Sequence, residues 1–556
     1  MVLYLLLGYW MAKSRAVKKE GLKRDLRFKD AALIGIGGAI GSGILFAAAG
    51  GTGYAGPAVV LSWIIAALMI AFITIPYAEI ASMVPKGGIS ARIGYYVYGG
   101  YGGFLSGWAL FLWSAIIPAI EGVAVAEYAS YWVPSLYHTV NGSGLLTPFG
   151  ILVAIMITIF FALLNFAGIS KFGKFNSALT YLKVATVILF IILVPMLLFH
   201  GTNFTSTGFL PYGWAGVLIA IPATGILFSF GGYRQVADMS GEMKDPKKNV
   251  PKAIGTTLLV QSVLYVLMAI VIVGAVSWSG LGVSPGTWSS VASLSSPLAN
   301  LMHVGALQAT GFVSAALGAL VIIALLFAIF SPFGTFGVYL TGAARIIFGF
   351  AKEKALPGVF GKTNKDGVPI YALVLASVLA IVFIIPLPSW YSLVDFVVVA
   401  AVVNFALVSA SLPILRRIYP DIKRPFKVPY VKLWSLVAFV LSALLIYWAT
   451  YPTTLYALGA TLFGTVIYLY QAYRSKWKEV HLKHSLWIPV FIIGMIVLSY
   501  YGGSATGGTN RIQFPYDMYV AIIYAVIFWG IAQLSAPKKM IYKAEKLLQE
   551  ESTTAS

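Results

Sequence analysis

The sequence predicts an all-α, polytopic membrane protein of about 14 transmembrane helices, and three observations support this prediction. Of the 556 residues, 59% are hydrophobic and only 10% are charged, whereas about a quarter of the residues in a soluble protein are charged. Long apolar stretches recur along the whole chain, and about 20 apolar residues suffice to cross a bilayer. Lys and Arg are confined almost entirely to alternate connecting segments. The remaining loops are too short for a soluble catalytic domain.

The placement of the basic residues predicts the orientation. Of the 38 Lys and Arg residues, all but Arg511 lie before the first span, in or beside every second connecting segment, or in the C-terminal tail. Loops rich in Lys and Arg stay in the cytoplasm. We therefore predict a plasma-membrane protein with both termini cytoplasmic, and we call the side that holds these segments the basic face. The net charge of +20 belongs to this face of the bilayer and predicts no nucleic acid partner.

The predicted spans divide the chain into five parts. An apolar run at 306–350 is too long for one upright helix, so it is expected to be tilted, extended beyond the bilayer, or interrupted near Ser331 and Pro332. The parts are a cytoplasmic N-terminal segment at 1–29, a first group of five spans at 30–199, a second group of five at 200–417, four accessory helices at 418–534, and a cytoplasmic tail at 535–556.

Two spans carry interruptions. The first span holds four glycines between residues 36 and 44, and each costs a continuous helix roughly 1 kcal/mol relative to alanine. A second interruption lies at 228–233 in the sixth span, which runs in the opposite direction. Broken spans in oppositely oriented halves are typical of the substrate site of a secondary transporter. The alternative is that these glycines only allow helices to pack closely.

Other functional classes lack the residues they need. The chain has no cysteine, which excludes disulfides, thiolate metal sites and a cysteine nucleophile. The five histidines fall in loops or at span edges, and no phosphate-binding loop motif is present. A channel would normally have a filter loop or a ring of charged side chains, and the sequence shows neither. We therefore expect neither enzyme activity nor a cofactor or bound metal.

Several motifs, in this order and at these spacings, resemble the amino acid/polyamine/organocation permeases. This resemblance implies a LeuT-type fold of two inverted five-helix repeats with further helices outside the core, and transport of amino acids or related amines. The motifs are Gly41-Ser42-Gly43-Ile44, Gly56-Pro57-Ala58, Tyr77-Ala78-Glu79-Ile80, Pro85-Lys86-Gly87-Gly88, Phe228-Ser229-Phe230-Gly231-Gly232, Lys244-Asp245-Pro246-Lys247-Lys248-Asn249-Val250-Pro251 and Arg424-Pro425-Phe426-Lys427-Val428-Pro429.

The resemblance also implies a substrate site at the two interruptions. Free backbone amides at the start of a half-helix favour a carboxylate, and free carbonyls at the end of one favour an ammonium group. Phe228 is expected to close over the ligand, unless it is only a packing aromatic. The residues expected to bind substrate are Gly41, Ser42 and Gly43 at the carboxylate, and Ala39, Phe228, Ser229 and Gly231 around the ammonium group and the rest of the ligand.

Ionisable residues within the spans are energetically costly, and they are therefore candidates for coupling transport to an ion gradient. In proton-coupled relatives a lysine such as Lys183 occupies the position of a sodium ion, which favours proton-coupled or cation-independent transport over sodium symport here. The alternative is a lysine that reaches the headgroups. Glu121 could bind a cationic group, relay a proton, or make a structural hydrogen bond. Glu127 is expected to reach water. Arg234 stands where some relatives carry glutamate, and it is expected to extend to the headgroups of the basic face.

We therefore predict a secondary active transporter that carries an amino acid or a related amine by alternating access, driven by protons. Two alternatives stay open on the sequence. One is an amino-acid sensor on a permease fold, and the other is an amino acid exchanger. The expected partners are a small amino acid or amine substrate, protons and the lipid bilayer. The sequence allows either a monomer or a homodimer.

Overall fold

The computed structural model describes residues 24–140, 143–168, 172–364, 368–474 and 482–537. The N-terminal segment predicted at 1–29 and the tail predicted at 535–556 lie mostly outside the described residues. An apolar lead at 1–10 and a basic amphipathic helix at 538–548, both suggested by the sequence, lie wholly outside them.

Helices account for nearly all of the described chain. In chain order they are α1 (Phe28–Ala39), α2 (Gly43–Ala55), α3 (Val59–Met83), α4 (Ile89–Ala129), α5 (Pro148–Gly168), α6 (Phe172–Leu197), α7 (Gly213–Ala223), α8 (Ile226–Ser229), α9 (Gly232–Asp238), α10 (Pro246–Gly274), α11 (Trp278–Leu281), α12 (Trp288–Ala292), α13 (Pro297–Gln308), α14 (Gly311–Lys352), α15 (Ile370–Ile384), α16 (Trp390–Ile418), α17 (Val431–Trp448), α18 (Thr453–Arg474), α19 (Trp487–Tyr501) and α20 (Tyr516–Ser535).

Within the described ranges, nine helical segments are long and apolar enough to cross a membrane, and four shorter apolar helices accompany them. This confirms a polytopic, predominantly helical membrane protein. The count of 14 spans and the division into two five-helix groups remain predictions. The term all-α needs one correction, because strands β1 (Tyr137–Val140) and β2 (Ser143–Leu146) form a small antiparallel hairpin between α4 and α5.

The long apolar run at 306–350 is interrupted at residues 309–310, between α13 and α14, and not near Ser331. Helix α14 continues for 42 residues through Pro332, so the expectation of a break near Ser331 is wrong. Proline removes one backbone donor, but neighbouring helices can satisfy the freed carbonyl group in a membrane protein. Ser331 and Pro332 are both buried, so these two residues face protein.

Two helices form the centre of the molecule. The most apolar 18-residue stretches of α4 and α16 are completely buried, whereas only 22% of the corresponding stretch of α20 is buried. A helix that is apolar on every side belongs in a core, and one with an exposed apolar face belongs against lipid. Helices α4 and α16 therefore support the broken spans, and α20 lies at the periphery.

Both predicted interruptions are present. The first span ends as α1 at Ala39 and begins again as α2 at Gly43. The sixth span consists of α7, the single turn α8, and α9. Gly225, between α7 and α8, has a φ of 85°, a conformation that favours glycine because it has no Cβ. The glycine-rich stretches therefore break the helices, and several of these glycines also pack closely against neighbouring helices.

Candidate functional site

The first interruption exposes the amino end of α2 to buried polar side chains. The backbone N–H of Ser42 donates to Glu121 Oε2 of α4 at 3.3 Å. On the other side of the break, the Ser331 hydroxyl of α14 donates to the Ile40 carbonyl at 3.0 Å. The orphan amide and carbonyl groups of a broken helix need such partners when buried. The amino end of α2 already holds a carboxylate, as its dipole favours.

The second interruption touches the first. A Cβ placed on Gly43 would lie 2.5 Å from Ser229 Oγ and 3.4 Å from Phe228, so α2 and α8 are in direct contact. The Ser229 hydroxyl itself donates to the Gly225 carbonyl at 2.9 Å. The structure therefore brings the residues predicted in the first and sixth spans together at one place in the protein interior.

The carbonyls predicted to hold the substrate ammonium group have backbone donors in this conformation. The Ala39 carbonyl accepts from the Gly41 N–H at 2.9 Å, and the Phe228 carbonyl accepts from the Gly231 N–H at 3.1 Å. A carbonyl oxygen has two lone pairs, so each retains one acceptor position. The unwound segments are therefore internally hydrogen-bonded turns that can accept a further donor.

Lys183 of α6 reaches into this region. It is 1% exposed, and its Nζ donates to the Gly37 carbonyl at 2.9 Å and to Thr335 Oγ1 at 3.3 Å. The alternative of a lysine extending to the headgroups is therefore wrong. The ammonium group lies between the end of α1 and α14, beside the first interruption.

Glu121 is completely buried, and its two carboxylate oxygens differ in their hydrogen bonding. Oε2 accepts from Ser42, whereas Oε1 has no hydrogen-bond partner. A Cβ placed on Gly41 would lie 2.6 Å from Glu121 Oε1 and 2.9 Å from Thr335 Oγ1. Glu121 and Thr335 thus both border Gly41, and Thr335 also accepts from Lys183.

Glu127 and Arg234 do not lie where the sequence predicts. Glu127 is 2% exposed and accepts from the Trp390 backbone N–H at 2.9 Å, so it does not reach water. Arg234 is 1% exposed and does not reach the headgroups; its Cζ lies 4.9 Å from the centre of the Trp113 ring. In both cases the side chain is covered by a helix distant in sequence.

Two further acidic residues, Glu79 and Asp395, make structural contacts. Glu79 accepts from Arg416 Nε at 2.8 Å and from Nη2 at 2.6 Å, and Oε2 also accepts from the Val428 N–H at 2.8 Å. This cluster ties α3 to the end of α16. Asp395 is 5% exposed and accepts from the Thr450 hydroxyl at 3.3 Å, consistent with a role in helix packing.

The sequence prediction missed two tryptophans at the site. Trp390 Nε1 donates to Ser42 Oγ at 2.7 Å, and the Trp390 ring stacks on Phe46 at 4.9 Å. Trp113 lies 5.3 Å from the Phe228 ring. In a chain with 14 tryptophans, nothing in the local pattern distinguishes these two. The Phe228 ring lies between them, 6.0 Å from Trp390, and so covers one side of the interruptions.

The buried polar atoms around the interruptions that have no hydrogen-bond partner include Glu121 Oε1, Trp113 Nε1 and Arg234 Nη1. Buried polar groups in native proteins are almost always paired, and the exceptions need an explanation. An acceptor and two donors left open at the break of two helices are suited to a small zwitterionic ligand. Among the described residues, no group of three His, Asp or Glu side chains is placed to hold a metal ion.

Comparison with known proteins shows the family of this chain. A family model described as amino acid permease matches residues 26–470. The chain belongs to the amino acid permease family. This permease is 32% identical over 504 residues to the glutamate/serine transporter AimA of Bacillus subtilis (strain 168), with 89% of this chain and 91% of the relative covered.

Two further relatives indicate the breadth of the family. The permease is 30% identical over 522 residues to an aspartate-proton symporter of Bacillus subtilis (strain 168), with 92% of this chain and 97% of the relative covered. It is 27% identical over 412 residues to the aromatic amino acid transport protein AroP of Salmonella typhimurium (strain SL1344), covering 72% of this chain and 83% of the relative. The family and these relatives are transport proteins, so the permease is an integral membrane transporter and not an enzyme.

Proposed function

We propose that this permease is a secondary active transporter that carries an amino acid by alternating access around its two broken spans, coupled to protons. One observation carries the proposal. The interruptions of α1–α2 and α8–α9 meet in the interior, at Gly43 and Ser229. Discontinuous helices that meet near the centre of a bundle are the usual substrate site of such transporters.

The relatives support the chemical class of the substrate. They are named for glutamate and serine, for aspartate with a proton, and for aromatic amino acids. What these substrates share is the α-carboxylate and the α-ammonium group. A site built from backbone amides and carbonyls recognises that shared part, and the side chains around it decide among substrates.

The substrate carboxylate is proposed to bind at the amino end of α2, on the N–H groups of Ser42 and Gly43 and on that of Gly41, which would have to leave the Ala39 carbonyl. The Ser42 N–H now donates to Glu121. On binding, the substrate carboxylate would replace the Glu121 carboxylate as the acceptor. The substrate ammonium group would then meet Glu121 Oε1, which lacks a partner, and the carbonyls of Ala39 and Phe228. Such an exchange leaves no buried charge without an opposite charge nearby.

Lys183 is the proposed coupling group. Its ammonium group is held inside the bundle by the Gly37 carbonyl and Thr335, and an ammonium group has three donors. Loss of the proton would remove a buried positive charge and weaken the contact with the end of α1. The protonation state of Lys183 would therefore bias the position of α1 against α6 and α14. This link between a proton and a moving half-helix is what symport requires.

The proposed orientation follows the charge pattern. We place the basic face in the cytoplasm and treat 30–199 and 200–417 as the two inverted repeats, with 418–534 as accessory helices. The first and sixth spans then run in opposite directions through the bilayer. Alternating access would consist of α1 and α9 moving at the basic face and α2 and α7 moving at the other face.

The experiment is uptake of radiolabelled amino acids into sodium-free proteoliposomes, with and without an inward proton gradient. We expect the gradient to stimulate accumulation by the wild type, and the Lys183→Ala variant to retain substrate binding but lose this stimulation. Lys362→Ala serves as the control because Lys362 lies in an exposed loop. An inward gradient of one pH unit corresponds to about 1.4 kcal/mol per proton, or about tenfold accumulation.

Three results would contradict parts of the proposal. Stimulation that persists in Lys183→Ala would exclude Lys183 as the coupling group. Uptake only into liposomes preloaded with amino acid would indicate an exchanger. Saturable binding with no flux under any gradient would indicate a sensor on a permease fold.

A further inference from the structure

One charged side chain near the interruptions has no part in the proposed function. The Arg234 guanidinium lies inside the protein between two aromatic rings, 4.9 Å from the centre of Trp113 and 5.9 Å from the centre of Tyr339. Its Nη1 is buried and has no hydrogen-bond partner. Among the residues that the structure describes, no carboxylate oxygen lies within 4.0 Å of this group. Arg234 is therefore a buried cation with an open donor.

A buried cation is costly unless it is paired and hydrogen-bonded. The acidic side chain nearest in sequence is Asp238, one turn further along α9. It interacts electrostatically with Arg234, but it lies beyond ion-pair distance, and its Oδ1 accepts from the Ser90 N–H at 2.9 Å. Glu121, on the other side of the interruptions, accepts from Ser42. Aromatic faces attract the guanidinium, but they accept no strong hydrogen bond from Nη1. Nη1 of Arg234 therefore remains without an acceptor, and an anion would be the most favourable one.

This place adjoins the proposed substrate site. Arg234 follows Gly231 by three residues in the chain, which corresponds to about 4.5 Å along a helix axis. A Cβ placed on Gly231 would lie 2.9 Å from the Trp113 ring and 3.1 Å from the Tyr339 hydroxyl. The same two aromatic side chains thus border both Gly231 and the Arg234 guanidinium. Gly231 and the Arg234 guanidinium therefore lie within reach of the same two side chains.

We infer that Arg234 binds the side-chain carboxylate of the substrate and that the preferred substrates are acidic amino acids. This inference rests on the proposed transport function and adds the side-chain specificity of the same site. The planar guanidinium matches a carboxylate through two parallel N–H···O bonds. With the α-carboxylate at the amino end of α2, a side chain of one or two methylene groups spans about one helical turn toward α9. A neutral amide of the same shape would leave the buried charge unpaired.

A purely structural role for Arg234 makes a different prediction. If the guanidinium only joins α9 to α4 through the Trp113 ring, its removal would reduce the transport of all substrates equally. If it binds the side-chain carboxylate, its removal would reduce the transport of glutamate and aspartate far more than that of glutamine and asparagine. The ratio between an acidic substrate and its amide therefore separates the two roles.

The first test needs no variant. Purified wild-type permease in proteoliposomes is tested for uptake of labelled glutamate, aspartate, glutamine, asparagine and serine under an inward proton gradient. We expect glutamate or aspartate to exceed its own amide by about 100-fold in the ratio of maximal rate to half-saturating concentration. Transport of serine or an amide with no preference for the acid would overturn the inference and leave the proposed function intact. No transport of any amino acid would overturn both.

The second test uses Arg234→Gln with Arg345→Gln as the matched control. Arg345 lies at the far end of α14, is 46% exposed and pairs with Glu242 at 3.4 Å. We expect Arg234→Gln to lower the glutamate-to-glutamine ratio by about 100-fold and the control to leave it unchanged. An unchanged ratio in Arg234→Gln would overturn the inference. If that variant does not fold, Arg234→Lys keeps the charge but loses the planar fork, and the ratio should fall in it by about tenfold; an unchanged ratio in Arg234→Lys would overturn the inference as well.

Discussion

Replacement of Gly41 by alanine should disrupt substrate binding, even though the change adds only one methyl group. Gly41 lies in the unwound segment between α1 and α2. Its added Cβ would lie 2.6 Å from Glu121 Oε1 and 2.9 Å from Thr335 Oγ1, and Cβ atoms in real proteins essentially never approach closer than 3.0 Å. The Glu121 carboxylate must therefore move by at least a few tenths of an ångström.

The expected magnitude follows from this displacement. Overpacking a tightly filled interior costs about 1–3 kcal/mol, which corresponds to roughly a 5- to 150-fold change in an equilibrium constant. Glu121 accepts from the Ser42 N–H at the place proposed for the substrate carboxylate, so the cost falls on the binding site. We expect the dissociation constant of the Gly41→Ala variant to rise by at least fivefold.

The assay is equilibrium binding of labelled amino acid to purified protein, paired with proteoliposome uptake. Gly255→Ala is the matched control, because a Cβ at Gly255 in α10 meets no atom within 4 Å. That control should bind as the wild type does and be more stable by up to about 1 kcal/mol. Wild-type affinity and uptake in a well-expressed Gly41→Ala variant would refute the placement of the substrate at the interruption.

Two further predictions concern the contacts that hold the helices in place. Glu79→Gln should lower the free energy of unfolding by about 3–5 kcal/mol, measured by equilibrium unfolding in detergent, because it removes the buried carboxylate that pairs with Arg416. Trp390→Phe keeps an aromatic ring against Phe46 but removes the 2.7 Å hydrogen bond to Ser42 Oγ. It should destabilise the closed site by about 1 kcal/mol, so that amide hydrogen exchange at residues 40–46 rises about fivefold.

Each of these predictions has its own control. The pair of Arg345 and Glu242 is more exposed, at 46% and 21%, and lies 3.4 Å apart, so Glu242→Gln should change stability by less than about 1 kcal/mol. Equal losses of unfolding free energy in Glu79→Gln and Glu242→Gln would show that burial of the Glu79 cluster does not contribute to stability. For Trp390→Phe, exchange at 40–46 that matches the wild type would exclude a role of the indole N–H in closing the site.

Much of the fold could be predicted from local sequence features. The apolar composition and the alternation of basic loops depend only on the energy of placing side chains in lipid or in water. The interruptions of the first and sixth spans follow from glycines that cannot sustain a helix, and the structure has them at Gly41 and around Gly231. Lys183 and Glu121 were also recognisable, because an ionisable residue in a span is rare and expensive.

Only the tertiary structure decided what these residues contact. The sequence could not indicate that Trp390 reaches Ser42 across 348 positions of the chain, or that α14 stays helical through Pro332. It also placed Arg234 and Glu127 wrongly, because a long polar side chain at a given depth can extend to water or fold into the protein. Neighbouring helices make that choice, since they determine whether the path to water is open or covered. The apolar spans and the helix breaks are therefore properties of the sequence, whereas the substrate site belongs to the packing of α4, α14 and α16 around those breaks.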